Sequence, residues 1–276
     1  TRPMERFDIV IVGGGIAGAS LAARLAGRRS VLLLEREAMC GTHATGRSAA
    51  FWQASLGGAS PERRLSLLSK PMFDARWPGS PVPLLRRRGA VHLTGPCGER
   101  FGDEDDLEGD DRPVRVNRGQ LDALVPGLRP QWTGAWLEPS CADIDVAALH
   151  QACLAEARRG GAVVRTDLGL GSARREDGGW ALDDGVLADV LVNAGGAWGD
   201  DVARRCGVEP IGLVAKRRTV VQLRVGRSGL RDLPFVTDLH ASFYFKGEGD
   251  SSVWVCPLDE TPVDPCDAAP EEIDVA

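Results

Sequence analysis

The sequence is poor in the residues that usually build metal sites and disulfide frameworks. Its 276 residues include four histidines and seven cysteines, and no two cysteines form a C-x-x-C pair. Cys40 and His43 are spaced as C-x-x-H, but a metal site needs more ligands than this pair offers. An odd number of scattered cysteines is typical of reduced thiols. We therefore expect no bound metal and a cytoplasmic location.

Other absences narrow the range of functions. The net charge of −6 argues against general nucleic-acid binding, which needs a positive surface. No apolar run reaches the length of a transmembrane helix, and no Ser-His-Asp constellation, P-loop or zinc motif is evident. Hydrophobic residues make up 43% and charged residues 26%, as in an ordinary globular protein. The composition predicts a globular protein that neither binds nucleic acid nor spans a membrane.

What is present begins with a βαβ pattern near the first residues. The apolar, β-branched run at 7–12 is typical of a strand buried in a parallel sheet. Glycines follow it, and a segment rich in Ala and Leu then predicts a helix that ends at Gly27. A second apolar run at 30–35 predicts a neighbouring parallel strand, which ends in Glu35.

The turn between the first strand and the helix carries G-x-G-x-x-G at Gly13, Gly15 and Gly18. In such a turn the first glycine permits the bend, the second lets the backbone approach a pyrophosphate, and the third lets helix and strand pack closely. The free N–H groups of the helix N-terminus favour phosphate. Glu35 lies where a carboxylate can accept hydrogen bonds from ribose hydroxyls. Together these residues predict a dinucleotide site.

The rest of the chain mixes strand and helix patterns. A strand is predicted at 89–95, and the acidic segment 102–111 is predicted to be a loop without core residues. Further predictions are a helix capped near Asp145 and stopped by Gly160 and Gly161, a strand after it, two or three strands at 175–198, and antiparallel strands from Lys216 onward. We therefore expect an α/β fold in which a Rossmann-like domain (5–80 and 141–215) is interleaved with a mainly antiparallel β domain (81–140 and 216–276).

Five collinear segments carry a resemblance to a known family. They are DIVIVGGGIAGAS, LEREAMCGTHATGRSAA, CADIDVAALHQACL, VLVNAGGAWGDDVA and GLVAKRRTVV. Together they resemble the FAD-dependent D-amino-acid dehydrogenase/oxidase superfamily, which includes glycine and sarcosine oxidases, and they are most similar to its bacterial D-arginine dehydrogenases. The resemblance implies that the Rossmann-like domain binds FAD and that the β domain binds a small amino acid or amine.

The resemblance also implies which residues lie along the cofactor. In the family, the loop after the second strand passes beside the flavin and its pyrophosphate, where small residues let the backbone come close. Glu35 and Arg36 are expected near the adenosine end, and Val164 near the adenine. The full implied set is Gly13, Gly15, Gly18, Glu35, Arg36, His43, Thr45, Gly46, Arg47, Ser48, Val164 and Gly195.

A flavin amine dehydrogenase needs a cationic anchor for the substrate carboxylate, because the cofactor carries the redox step. By resemblance, Arg218 and Tyr244, the chain's one tyrosine, face the substrate. We expect hydride transfer from a D-amino acid or related amine to FAD, followed by hydrolysis of the imino acid to a 2-oxo acid and ammonia. A glycine/sarcosine-oxidase-like enzyme, a 2-hydroxy-acid oxidoreductase and a non-catalytic flavoprotein-like remnant stay open as alternatives, as does oxygen or quinone as the electron acceptor.

The expected substrate pocket departs from that of the D-arginine dehydrogenases. Phe51 and Leu56 stand where those enzymes have a histidine and a tyrosine, and Ala90 stands where they have a carboxylate. An unpaired guanidinium is costly to desolvate in such a pocket. We therefore expect a preference for apolar or aromatic side chains over cationic ones.

The resemblance stops before the C-terminal segment of the family. In the family that segment returns to the FAD domain, adds a glycine-rich loop beside the flavin and contributes another arginine to the substrate site. We therefore expect this chain, taken alone, to retain FAD weakly.

Overall fold

A computed structural model describes residues 4–57, 60–75, 77, 80–95, 99–102, 107–183 and 185–269. Within these ranges the helices are α1 (Ile16–Leu25), α2 (Pro61–Asp74), α3 (Arg118–Leu124), α4 (Val146–Arg159) and α5 (Gly199–Arg205), with 3-10 turns at Gly109–Asp111 and Gly196–Trp198. None of these helices is long and apolar enough to cross a membrane.

The strands of the described ranges are labelled in chain order. They are β1 (Glu5–Val12), β2 (Val31–Leu34), β3 (Phe51–Trp52), β4 (Leu85–Arg87), β5 (Ala90–Thr94), β6 (Val114–Asn117), β7 (Gly134–Glu138), β8 (Ala142–Ile144), β9 (Val163–Arg165), β10 (Ala173–Glu176), β11 (Gly179–Leu182), β12 (Val186–Asn193), β13 (Lys216–Arg217), β14 (Val221–Arg224), β15 (Phe235–Asp238), β16 (Tyr244–Glu248), β17 (Ser252–Cys256) and β18 (Thr261–Pro262).

A six-stranded sheet with the order β10-β11-β12-β1-β2-β9 holds the predicted βαβ unit. Its central strands β12, β1, β2 and β9 run parallel, while β10 and β11 extend it antiparallel. Every residue of β2 is buried, as expected for a strand covered on both faces. On one face Ile11 and Leu33 pack with Ala19 of α1 and Cys153 of α4. The predicted first strand, helix and second strand are confirmed.

Helix α4 begins and ends where the sequence predicts. The Asp145 side chain caps it by accepting a hydrogen bond of 2.8 Å from the Ala148 N–H. Gly160 is the C-cap residue, and β9 follows it. The small residues of α1 and α4 let the two helices pack against one another over the sheet.

A seven-stranded sheet with the order β14-β17-β16-β15-β5-β7-β6 forms the second large layer. Neighbouring strands are antiparallel except for the parallel pair β15 and β5. The register places Tyr244, Thr237, His92 and Trp136 side by side on β16, β15, β5 and β7. Residues opposite one another in a sheet project from the same face. These four side chains therefore share one face.

Two smaller sheets complete the described fold, with the orders β3-β8-β4 and β13-β18. Next to the first of them, the acidic segment does contain a core residue, contrary to prediction. Leu107 is buried in a cluster with Trp52 and Ala54. A single apolar residue among acidic ones gives no hydrophobic periodicity from which burial could be predicted. Leu107 is buried because residues distant in sequence, Trp52 and Ala54, pack around it. Residues 103–106 of that segment lie outside the described part of the chain.

Candidate functional site

A cavity of about 2080 Å³ runs between the two large sheets. One end is lined by the residues that follow the carboxyl ends of β1, β2 and β12, including Gly13, Glu35 and Gly195. The other end is lined by the seven-stranded sheet, including Phe235 and Tyr244. Ligands of open parallel sheets bind at the carboxyl ends of the strands. Pockets for drug-sized ligands measure roughly 300–1,000 Å³, so this cavity has room for a larger group together with a substrate.

The glycine turn at the first end depends on the absence of side chains. Gly13 has a φ of +111°, and a Cβ atom there would lie 2.3 Å from the carbonyl oxygen of Ala194. A Cβ atom on Gly18 would lie 2.0 Å from the Gly13 oxygen. Gly18 does not line the cavity; it packs α1 onto the turn, the role that the motif predicts for its third glycine. Gly15 lines the cavity at the start of α1.

Residues 41–48 fold over the start of α1. Thr45 Oγ1 accepts a hydrogen bond of 3.0 Å from the Ile16 N–H. Gly15, the N-cap residue of α1, has no side chain that could accept a hydrogen bond from the first turn, so Thr45 provides the acceptor. Gly46 donates its N–H to the Gly41 oxygen at 2.8 Å, and a Cβ atom on Gly46 would lie 2.5 Å from that oxygen. The small residues thus allow a tight loop that lies along the cavity.

A buried histidine supports the same turn from behind. His150 of α4 is 4% exposed, and its Nε2 atom lies 2.8 Å from the Gly14 oxygen. Its ring also fills the space beside Gly41, where a Cβ atom would come within 2.8 Å of it. His150 therefore joins the glycine turn to the loop, and motif analysis did not assign it to the site.

Glu35 lies at the end of β2, as predicted. Its Oε2 atom accepts a hydrogen bond of 2.8 Å from the Gly14 N–H, and Oε1 accepts one of 2.9 Å from the Glu37 N–H. Each carboxylate oxygen has further acceptor capacity. The carboxylate therefore holds the turn and can still accept hydrogen bonds from a ligand in the cavity.

An aromatic residue that the sequence analysis missed organises the neighbouring side chains. The Arg36 guanidinium lies 4.5 Å from the centroid of the Trp198 ring, and the His43 ring lies 4.5 Å from the same ring. His43 Nε2 also lies 2.9 Å from Glu37 Oε1. Contacts with His43 and with Arg36 hold the pKa of the Glu37 carboxyl below its usual range. The predicted residues Arg36 and His43 thus both pack against the Trp198 ring.

Arg47 and Ser48 line the cavity as predicted. The Arg47 guanidinium pairs with the Asp267 carboxylate and donates a hydrogen bond of 2.5 Å to the Ala268 oxygen. Asp267 and Ala268 line the cavity too. The Arg47 side chain thus bridges the loop and a segment more than two hundred residues away, a contact that local sequence does not reveal.

At the other end, three aromatic rings form the wall of the cavity. The Phe51 centroid lies 4.4 Å from that of Phe235 and 6.2 Å from that of Tyr244. The Lys246 ammonium lies 5.1 Å from the Phe51 ring and 4.8 Å from the Trp254 ring. Lys246 is 5% exposed. An aromatic wall backed by a buried cation is therefore present at the predicted position of Phe51.

Arg218 and Tyr244 both line this end of the cavity. Arg218 donates a hydrogen bond of 2.8 Å to Glu260 Oε1, and about half of its side chain is exposed. Burial, and then the neighbouring Cys256 thiol, raise the pKa of the Tyr244 hydroxyl. The tyrosine is therefore a neutral hydrogen-bonding group beside a guanidinium.

Two predicted site residues lie behind the cavity wall. Ala90 is fully buried and packs in a cluster with Phe235 and Tyr244, and it does not line the cavity. Val164 packs against the core under the six-stranded sheet and does not line the cavity either. Val164 pairs with Leu33 and packs into the core beneath α1 and α4. Ala90 projects from the same face as His92 and is covered by larger side chains of its cluster, including Phe235 and Tyr244. Leu56 does line the cavity and is half exposed.

Comparisons with known proteins place this geometry among flavoproteins. The family described as "DAO: FAD dependent oxidoreductase" matches residues 8–275. Human mitochondrial dimethylglycine dehydrogenase is 26% identical over 275 residues, which cover 91% of this chain and 30% of that protein. The chain thus spans less than a third of the length of the curated relative it matches.

Solved structures agree in fold. Glycine oxidase from Geobacillus kaustophilus matches with a TM-score of 0.72 and 21% identity, covering 94% of this chain and 72% of the other. FAD-bound L-α-glycerophosphate oxidase from Mycoplasma pneumoniae matches with a TM-score of 0.80 and 15% identity, covering 95% and 73%.

Proposed function

The chain belongs to the FAD-dependent oxidoreductase family, and on that premise we propose that it oxidises a D-amino acid or related small amine. FAD is the cofactor of the family. The observation that carries the proposal is one continuous cavity, which joins the glycine turn at Gly13 to the wall that holds Phe51, Arg218 and Tyr244. A cofactor on the turn and a substrate on the wall then share one space.

The residues at the first end fit FAD. The backbone at Gly13 and Gly15 is open to a pyrophosphate, and the N-terminus of α1 supplies a partial positive charge there. Glu35 retains acceptor capacity for ribose hydroxyls. Thr45, Gly46 and the residues around them would lie along the dinucleotide. FAD held by these residues would supply the hydride acceptor for the substrate carbon.

The protein side of the reaction is mainly positioning. Arg218 anchors the substrate carboxylate, because a guanidinium has five donors and Glu260 occupies only part of them. Tyr244, whose pKa is raised, stays protonated and donates a hydrogen bond to the same carboxylate. Phe51 and Phe235 exclude water from the reacting carbon. The amine loses a proton and the Cα–H bond a hydride, and water then hydrolyses the imino acid to a 2-oxo acid and ammonia.

The residues of the cavity wall also disfavour a substrate with a basic side chain. Phe51 and Leu56 offer no carboxylate to a guanidinium. An unpaired cation in such surroundings is costly to desolvate. We therefore propose apolar contacts for the part of the substrate side chain that is next to Cα, and we do not propose D-arginine as the substrate.

The test is anaerobic reduction of the flavin in protein supplied with FAD. D-amino acids, glycine, sarcosine, dimethylglycine and 2-hydroxy acids are added one at a time, and the loss of oxidised-flavin absorbance is recorded. Arg218→Ala should raise the KM for amino acids about 10- to 100-fold. This factor corresponds to the loss of a hydrogen bond to a charged group, which is worth about 1.5–3 kcal/mol. Arg218→Lys should recover part of the loss. Arg224→Ala, an exposed change on β14 outside the cavity, is the control.

The outcomes separate the candidate functions. An unchanged KM in Arg218→Ala would remove Arg218 from the substrate site. Reduction by 2-hydroxy acids alone would favour alcohol oxidation, and reduction by dimethylglycine or sarcosine alone would favour an N-methylamine substrate. If the bound flavin were reduced by none of these compounds, the non-catalytic alternative would stand.

A further inference from the structure

We propose that the end of the cavity at His92 is a subsite for a second carboxylate, so that the substrate is a dicarboxylic amino acid. This inference rests on the proposed function, because it names the side chain of the substrate that Arg218 and Tyr244 would hold. The cavity end in question is lined by Ser55, His92 and Phe101, among others. Motif analysis assigned no role to His92.

The register of the seven-stranded sheet sets the distance between Tyr244 and His92. Tyr244 pairs with Thr237, and Thr237 pairs with His92. Adjacent strands are about 4.7–4.9 Å apart, so the backbones at Tyr244 and His92 are separated by roughly 9–10 Å on one face of the sheet. That spacing lets a ligand with a carboxylate at each end of a short chain reach both residues.

A buried carboxylate orients the His92 ring. Glu138 is fully buried, and its Oε1 and Oε2 atoms accept hydrogen bonds from the Ala54 N–H at 2.7 Å and the Ser55 hydroxyl at 2.6 Å. His92 Nε2 is buried as well and lies 3.5 Å from Glu138 Oε2. Burial opposes ionisation of Glu138, but the contacts with His92 and Ser55 outweigh it and hold the pKa of this carboxyl below its usual range.

This orientation leaves the other ring nitrogen for a ligand. Nε2 is the buried ring nitrogen and lies on the Glu138 side, so Nδ1 is the nitrogen that can meet a ligand in the cavity that His92 lines. The ring also lies edge-on to Phe101, with 4.6 Å between centroids, which fixes its plane. When the outer nitrogen carries a proton, it donates a hydrogen bond to an anionic oxygen.

The charges around this end favour an anion. Arg100 lines the cavity here, and the buried Arg63 of α2 lines it too. Of the carboxylates nearby, Glu138 is engaged with His92 and Ser55. Asp238 accepts hydrogen bonds from the backbone and the hydroxyl of Ser242.

Phe51 and Leu56 line the same cavity and present apolar surface. A methylene chain fits against this surface, and a carboxylate fits at each end. The substrate class that meets all three requirements is a dicarboxylic amino acid.

The kinetic test compares D-glutamate with D-glutamine, which differ by one charged group at equal size. In FAD-supplied protein, D-glutamate should show a kcat/KM at least tenfold higher. His92→Gln should remove most of this preference, because it should lower kcat/KM for D-glutamate much more than kcat/KM for D-glutamine. The control is His240→Gln, since His240 is exposed and does not line the cavity. Equal kcat/KM for the two substrates in the parent, or an equal loss for both in His92→Gln, would overturn the inference.

A binding test keeps the inference separate from the proposed function. The chain has four histidines, so their imidazole NMR signals can be assigned from single His→Gln variants. Glutarate added to the protein should shift the His92 signal, and glutaramide should not. If no amine reduces the flavin but glutarate still shifts His92, the proposed function fails and the anion subsite stands. If glutarate leaves the His92 signal in place, the subsite is refuted whatever the activity.

Discussion

The hydrogen bond from Ile16 to Thr45 makes the cofactor end of the cavity open to a direct test. Thr45 Oγ1 is the side-chain acceptor at the start of α1, where the N-cap residue is a glycine. Thr45→Val keeps the branched shape and removes the acceptor. Losing an N-cap acceptor costs about 0.5–2 kcal/mol. Thr45 is only partly buried, so water can replace some of the bond, and we expect a loss of about 1 kcal/mol.

That loss should appear in two measurements. For a chain of this size, about 1 kcal/mol lowers Tm by roughly 2–4 °C, which differential scanning calorimetry of the FAD-free protein resolves. FAD affinity should fall as well, because residues 41–48 lose a contact that holds them along the cavity. Thr45→Ser retains the hydroxyl and should restore both values to near those of the parent. An unchanged Tm and an unchanged Kd for FAD in Thr45→Val would refute the capping role.

Three further predictions follow from the geometry. Gly18→Ala places a Cβ atom 2.0 Å from the Gly13 oxygen and should cost about 1–3 kcal/mol in urea unfolding, whereas Gly226→Ala, with open space around it, should change little. The pKa of Glu138 is below its usual value of 4.5 in the folded protein, so its ionised form stabilises the fold above that pH, and the stabilisation is lost as pH falls through the lowered folded-state pKa. Glu138→Gln should therefore flatten the plot of unfolding free energy against pH below about pH 5; an unchanged slope would contradict this. Asp145→Ala should destabilise α4 by about 1 kcal/mol, measured as a lower urea midpoint, with Asp145→Asn close to the parent.

The elements near the cofactor end could be predicted because their signals are local. The G-x-G-x-x-G turn, the β2 run that ends before Glu35 and the cap at Asp145 are each read from a few consecutive residues. Their bounds in the structure agree with those signals. The family resemblance then predicted FAD as the cofactor, and the family match supports this prediction.

The parts that escaped prediction depend on residues far apart in sequence. The contact of His150 with Gly14 and that of His92 with Glu138 join different elements of the fold. No local sequence pattern predicts such contacts. Ala90 was placed in the pocket by alignment. It shares a face of β5 with His92, and it lies behind the wall because larger side chains such as Phe235 and Tyr244 cover it. The roles of the aligned residues, and the division into two domains, stay predictions.

The ammonium of Lys246 also limits how this site can change by mutation. Lys246 is buried, pairs with Asp143 at 3.3 Å and Glu248 at 3.1 Å, and lies against the rings of Phe51 and Trp254. Replacing Phe51 by histidine would lose a cation–π contact of about 0.5–2 kcal/mol and would put a second titratable nitrogen beside the first. Lys246→Met made first loses the same cation–π contact and also removes the ammonium from Asp143 and Glu248. A histidine-lined pocket therefore meets a cost at Lys246 in either order, and redesign of the wall has to include the charged residues behind it.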